Sequence, residues 1–216
     1  MYLDARARDR FAAAILIGWN SIALIGLTIK LVSAIPTADH AVRLLQCISL
    51  ATSATYFILQ IYFLAVRLPS TAVAAGALPR ACALLGAYLP VVITLLPIVT
   101  SEALQIASAL VTTLGTAGVI YALVHLGRSF SVFPQARRLV TTGPYHFIRH
   151  PIYLFGELAV LGIAIGYMQP WALLLAALTF LAQFPRMFFE ETILAAAFDN
   201  YTAYAARTFR LIPGLY

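Results

Sequence analysis

Apolar residues recur in stretches long enough to cross a membrane. Four such stretches occupy residues 11–35, 41–66, 81–100 and 103–126. About 20 consecutive apolar residues suffice to span the hydrocarbon core as a helix. The pattern then breaks, because residues 127–150, GRSFSVFPQARRLVTTGPYHFIRH, are polar and basic. A shorter apolar pair follows at 152–168 and 170–184, joined through Met168-Gln169-Pro170. This spacing predicts a helical hairpin with arms about 22–26 Å long at 1.5 Å per residue, slightly less than the roughly 30 Å core. From Pro185 the chain turns amphipathic, and Pro185 is expected to start or kink a helix. The opening MYLDARARDRF has the charge of a signal peptide. The apolar run behind it is longer than a signal-peptide core of about 7–15 residues, and no clear small-residue cleavage site follows, so it is read as the first span.

Composition agrees with the pattern. The 216 residues are 62% hydrophobic and 10% charged, with a mean hydropathy of +0.90. Soluble domains carry about 25% charged residues. The expected fold class is an all-α polytopic membrane protein with about six transmembrane or hairpin helices. Its first part, 1–126, holds four spans. Its second part, 127–216, holds the polar loop, the hairpin 152–184 and the amphipathic tail. No repeat is evident, which does not indicate a repeat-built transporter.

Charge changes the picture by giving an orientation. With six crossings, one face receives the amino terminus, 67–80, 127–150 and the tail. Those segments hold Arg6, Arg8, Arg10, Arg67, Arg80, Arg128, Arg137, Arg138, Arg149, Arg186, Arg207 and Arg210, twelve of the fourteen basic residues. Arg43 falls on the other face, and Lys30 is close enough to its end of the first span to snorkel. The positive-inside rule then puts both termini, the loop and the tail in the cytoplasm. The net charge of +6 accordingly reads as topology. Without a basic–aromatic stripe or zinc-finger spacing, nucleic acid is not an expected partner. Cys47 and Cys82 lie in apolar runs, and His40, His125, His146 and His150 lack metal-ligand spacing, so no metal is expected.

Chemistry concentrates in the second half. Asn20, Gln46 and Gln60 in the early spans read most simply as interhelical hydrogen-bonding groups. In GPYHFIRHPIY, residues 143–153, Gly143-Pro144 marks a turn and Pro151 suits the first turn of a helix. His150 then sits near the N-cap and Tyr153 about one turn on. Taken alone, this is also what an interfacial belt of tyrosine, histidine and arginine looks like. In PRMFFEE, Arg186 and Glu190 are four apart and can pair, while Glu191 points about 100° around the helix. Acids at membrane depth need partners and often mark function. Glu157, one turn or so into the first hairpin arm, is open to a structural or a functional reading.

As a set these residues resemble the isoprenylcysteine carboxyl methyltransferase family over roughly residues 125–213. The resemblance rests on LGRSFS, LVTTGPYHFIRHPIYLFGE, RMFFEE and FDNYTAYAARTFRLIP. It implies a membrane enzyme that takes a methyl group from S-adenosylmethionine, with a cofactor site on the cytoplasmic side of the carboxy-terminal region. It implicates Gln135, Arg137, Arg138, Leu139, Val140, Tyr145, His150, Pro151, Ile152, Tyr153, Glu190 and Glu191 in cofactor binding. Arg137 and Arg138 replace small polar or histidine positions, so their backbone roles are what carries over. The resemblance gives the catalytic roles to Arg186, on the acceptor side, and Glu190. The acceptor it implies is lipophilic or lipidated, entering sideways from the membrane lipids. Membrane sterol and steroid reductases, which use NADPH, end in a similar R-H-P-x-Y…E…Y-x-x-Y pattern and form the alternative enzyme reading. A small transport protein would need charged residues along several mid-membrane faces, and the first four spans have few.

Overall fold

The computed structural model describes residues 5–34, 40–98 and 101–214. Ile35, Val99 and Thr100, at the ends of two predicted spans, lie outside the described residues, as do the side chains of Arg6, Arg8, Lys30 and His40. Among the described residues, six longer helices make up the bundle: α1 (Ala5–Ala34), α2 (His40–Val66), α3 (Leu78–Ile93), α4 (Glu102–Leu126), α5 (Pro151–Tyr167) and α6 (Pro170–Ala197). A short helix, α7 (Tyr201–Ala205), follows. Four of them, α1, α2, α4 and α6, are long and apolar enough to cross a membrane, while α3 and α5 are apolar but shorter. Phe11, Ile22, Ile58, Leu114 and Leu181 are each more than half exposed on the outside of the bundle. Such an apolar exterior suits lipid, since in hydrocarbon only the backbone polar groups must be satisfied internally, and helices do that.

Two predicted boundaries are corrected. The second hairpin arm does not stop at 184. Instead α6 continues through Pro185 to Ala197, so Pro185 does not start a helix. Proline deprives only the carbonyl one turn back of its N–H donor, and the rest of the ladder continues on either side. The third span does not reach 100, because α3 ends at Ile93, just before Pro97. The fold is also not purely helical. Strands β1 (Ala72–Val73) and β2 (Gln135–Ala136) pair antiparallel, with Ala72 opposite Ala136.

The predicted hairpin is present as a chain reversal, but α5 packs mainly against α4 rather than against α6. Small residues at helical spacing explain this. A side chain at Gly115 would meet the Ala159 backbone nitrogen at 2.3 Å, and one at Gly162 would meet that of Thr112 at 2.4 Å. The two backbones therefore touch, which is how helices associate where lipid offers no hydrophobic gain. Gly143 has φ +61° and lies against the His125 ring, so the turn that begins the 143–153 stretch is fastened to the end of α4.

This contact makes a prediction. Gly115→Val overpacks the α4–α5 seam at a cost of about 1–3 kcal/mol and lowers the thermal unfolding midpoint in detergent. Gly18→Ala, where nothing lies within 4 Å of the new methyl, leaves it unchanged. Equal midpoints for the two variants would contradict the seam.

Candidate functional site

The polar segments predicted to share a face do meet at one end of the bundle. Thr71 and Ala74 donate backbone hydrogen bonds to Ala136 (2.8 Å) and Pro134 (3.0 Å). The tail runs beside the 147–150 stretch: Arg149 N–H donates to the Phe209 carbonyl (2.8 Å) and Phe209 N–H to that of Phe147 (3.0 Å). The Tyr204 hydroxyl donates to the Tyr145 carbonyl at 2.8 Å. The loop 127–150 is thus held on one side by the α2–α3 connection and on the other by the tail.

Arg137 is one of the fasteners. Its guanidinium donates to both carboxylate oxygens of Asp9 (3.0 and 3.1 Å), to the Leu68 carbonyl and to Gln135 Oε1. Arg67 pairs with the same carboxylate at 2.9 Å. Burial pulls the Arg67 guanidinium below its ordinary pKa, and Asp9 opposes that pull. One carboxylate therefore serves two buried arginines, and it ties α1 to the loop that carries Gln135.

The paired glutamates of α6 take different directions. Glu191 accepts from His150 Nε2 (3.0 Å) and Arg210 Nε (3.1 Å), with Arg149 at 3.6 Å. Glu190 accepts from the Tyr153 hydroxyl, and its second oxygen lies 3.9 Å from His150 Nδ1. His150 occupies the N-cap position of α5 as the sequence suggests, yet its ring does not cap the helix. It stacks on Tyr153 (5.3 Å between centroids, 12° between planes) and reaches Glu191 instead.

Arg186 is buried, and its guanidinium is hydrogen-bonded to Gln183 rather than paired with Glu190. Its Nη1 donates to Gln183 Oε1 (2.9 Å), and its guanidinium carbon sits 4.6 Å from the Tyr153 ring centre. Gln183 Nε2 donates in turn to Glu157 (2.7 Å) and to the Gly86 carbonyl (3.3 Å). Every group of that amide is used, so its orientation is fixed. Gly86 is required here, since a side chain would meet Arg186 Cδ at 2.8 Å.

These groups surround one cavity of about 670 Å³. Its wall includes Gln135, Arg137, Arg138, Leu139, Val140, Tyr145, His150, Pro151, Ile152, Tyr153, Arg186 and Glu190. Glu191 is not in that wall, and its Oε1 is turned to His150 of the loop and Arg210 of the tail. The cavity continues between the helices to Gly26, Leu95 and Ile163. The ten residues from Tyr153 to Ile163 correspond to about 15 Å of depth at the helical rise.

The wall suits an amphiphilic cofactor of the kind the motifs imply. Glu190 offers an acceptor, and Leu139, Val140 and Ile152 offer an apolar side. Tyr145 Oη and Ser129 Oγ are buried and find no hydrogen-bond partner among the described residues. Burial, with Glu190 and Tyr204 nearby, holds the Tyr145 phenol well above its ordinary pKa. It is therefore a donor at neutral pH. The volume falls within the roughly 300–1,000 Å³ of small-molecule sites.

Sequence reasoning missed Asp9, Gln183 and the deep wall on α1–α3. Gln60, read there as an ordinary interhelical group, lines the cavity. The signal available was weak: an acid between Arg8 and Arg10, and a glutamine three residues before Arg186.

Comparison with known proteins narrows the chemistry. Residues 101–201 match the phospholipid methyltransferase family. The phospholipid methyltransferases are related to the isoprenylcysteine carboxyl methyltransferases that the motifs resemble. The match and the apolar helices together support a membrane methyltransferase. It covers just under half of the chain, from the start of α4 to the start of α7, and so includes the loop, His150, Arg186 and both glutamates. The cobalt-zinc-cadmium resistance protein CzcN of Cupriavidus metallidurans is 35% identical over 113 residues, which cover 50% of this chain and 51% of that protein. The nickel-cobalt-cadmium resistance protein NccN of Alcaligenes xylosoxydans xylosoxydans is 32% identical over 113 residues, covering 50% and 52%. The chain thus spans about half the length of the curated relatives it matches. Among the described residues no group of three or more His, Cys, Asp or Glu side chains is placed to hold a metal ion.

The Asp9 network makes the second prediction. Asp9→Asn leaves two buried guanidinium groups without their carboxylate, a change that costs about 3–5 kcal/mol in buried pairs. The variant should unfold at a clearly lower temperature in detergent. Adding Arg67→Met should recover part of the loss, and a double variant less stable than Asp9→Asn alone would contradict the shared-carboxylate account.

Proposed function

We propose that the protein is an integral membrane methyltransferase that binds S-adenosylmethionine and methylates a lipophilic acceptor, with an isoprenylcysteine-type carboxylate as the model acceptor. The observation that carries this reading is the convergence of the 135–153 stretch with Arg186 and Glu190 on one cavity, inside the segment that matches a methyltransferase family. The same match supports it over the NADPH reductase and transport readings.

S-adenosylmethionine, when bound, supplies a methyl group already activated by its sulfonium, so no nucleophilic triad is needed from the protein. The residues present have the simpler task of binding and orienting. Glu190, positioned by Tyr153, accepts hydrogen bonds from the cofactor's ammonium or ribose. Tyr145 donates from its unpartnered hydroxyl, and Leu139 and Ile152 cover the adenine. Arg186, held by Gln183 and the notch at Gly86, places the acceptor's nucleophilic group. Holding two reactants in register is worth up to about 7–11 kcal/mol. Lipid acceptors reach Arg186 through the apolar end of the cavity. We place the polar end, with both termini, on the cytoplasmic side by the arginine distribution. The metal resistance in the relatives' names supplies no acceptor for this site.

Calorimetry on detergent-purified protein tests the proposal. S-adenosylmethionine should bind and NADPH should not. Glu190→Ala and His150→Ala should abolish binding. Arg186→Ala should keep the cofactor and lose turnover. NADPH binding would move the reading to a reductase, and unchanged cofactor binding in both Glu190→Ala and His150→Ala would remove the site assignment.

A further inference from the structure

The family match begins at residue 101, yet the cavity does not. Its inner wall is built by α1, α2 and α3, and α2 puts the polar side chains of Ser53, Tyr56 and Gln60 there. Tyr56 and Gln60 are one helical turn apart and both line the cavity. Gln60 is 6% exposed, and its Nε2 donates to the Tyr56 hydroxyl at 2.8 Å. The phenol accepts that bond, so its own proton remains to donate, and it finds no acceptor among the described residues. A hydroxyl kept in this state inside an apolar bundle leaves hydrogen-bonding capacity unused, which is costly without a ligand.

Arg186 shares this part of the cavity. It and Tyr56 both line the cavity wall, together with Gln183 and Gly86. Its Nη1 is committed to Gln183, but its Nε is buried with no partner among the described residues. A guanidinium with an unused donor and a phenol with an unused proton therefore line the same cavity, where its polar end passes into its apolar one. Both are donors, and together they suit an anionic oxygen or sulfur rather than an amine. The Glu157 carboxylate, also in the wall, is separated from Arg186 by the Gln183 amide, which accepts from Arg186 and donates to Glu157.

We propose that Tyr56, oriented by Gln60, is a second acceptor-contacting residue that donates to the anionic headgroup held by Arg186. The amino-terminal helices thereby set which acceptors are used. This inference rests on the methyltransferase reading. It explains why a region outside the family match supplies a hydrogen-bonded Gln60–Tyr56 pair at the cavity wall.

Binding of fluorescent fatty-acid and fatty-amine probes of equal chain length, with no cofactor added, tests it. Calorimetry with S-adenosylmethionine runs in parallel on each variant. Wild-type protein should prefer the carboxylate probe. Tyr56→Phe should weaken that probe by about tenfold, the low end for a hydrogen bond to a charged group, and leave the amine probe and the cofactor unchanged. Gln60→Glu, whose carboxylate accepts the phenol's proton and adds a negative charge, should also lose the carboxylate preference. Unchanged carboxylate binding in Tyr56→Phe, no preference in the wild type, or a parallel loss of cofactor binding would each overturn the inference. Failure of the wild type to bind S-adenosylmethionine would instead overturn the methyltransferase reading beneath it.

Discussion

A carboxylate at the end of an apolar bundle has to be partnered, and the partnering of Glu191 organises everything around it. Its Oε1 collects Arg149 and His150 from the segment before α5 and Arg210 from the tail. Three stretches far apart in sequence are thereby drawn to one point on α6. The backbone bonds between 147–150 and 209–210 then complete a strap that the ion pairs begin. Leaving a charge unpaired in such a setting costs several kcal/mol, so removal of Glu191 would release the strap as well as one bond.

The consequence for the site is a division of labour between neighbours. Successive helical residues point about 100° apart. With Glu191 turned toward the basic strap, Glu190 is turned toward the cavity and Tyr153. His150 lies between them, hydrogen-bonded to one and stacked on the tyrosine that serves the other. On the opposite side Asp9 performs a similar task for the loop, holding Arg137 and Arg67 so that Gln135 faces inward. The cavity is therefore framed by two ionic clamps, neither of which has to take part in chemistry for the site to depend on it.

How much of this was legible follows from the range of each interaction. Spans were legible because hydropathy is a local property, and α5 begins at Pro151 as its proline suggests. The shared polar face was legible from arginine placement. The end of α6 was not, because a proline signals a lost hydrogen bond without saying whether packing tolerates the loss. Nor was the partner of Arg186. Spacing of four permits a pair with Glu190, but Gly86, a hundred residues earlier, leaves the room that directs the guanidinium toward Gln183. The α4–α5 seam was readable in retrospect from Ser108, Thr112 and Gly115 facing Ala159, Gly162 and Gly166. Contacts of Tyr56 and Asp9 with the second half depend on tertiary placement and have no local signal.

The account's central claim is that 127–153, the end of α6 and the tail form a single cofactor-binding unit. Hydrogen–deuterium exchange of the detergent-purified protein with and without S-adenosylhomocysteine tests it most directly. The account predicts added protection in 127–153 and in 186–213 together, with little change on the lipid-facing turns of α1 and α2. Protection of either segment without the other, or of neither, would contradict it.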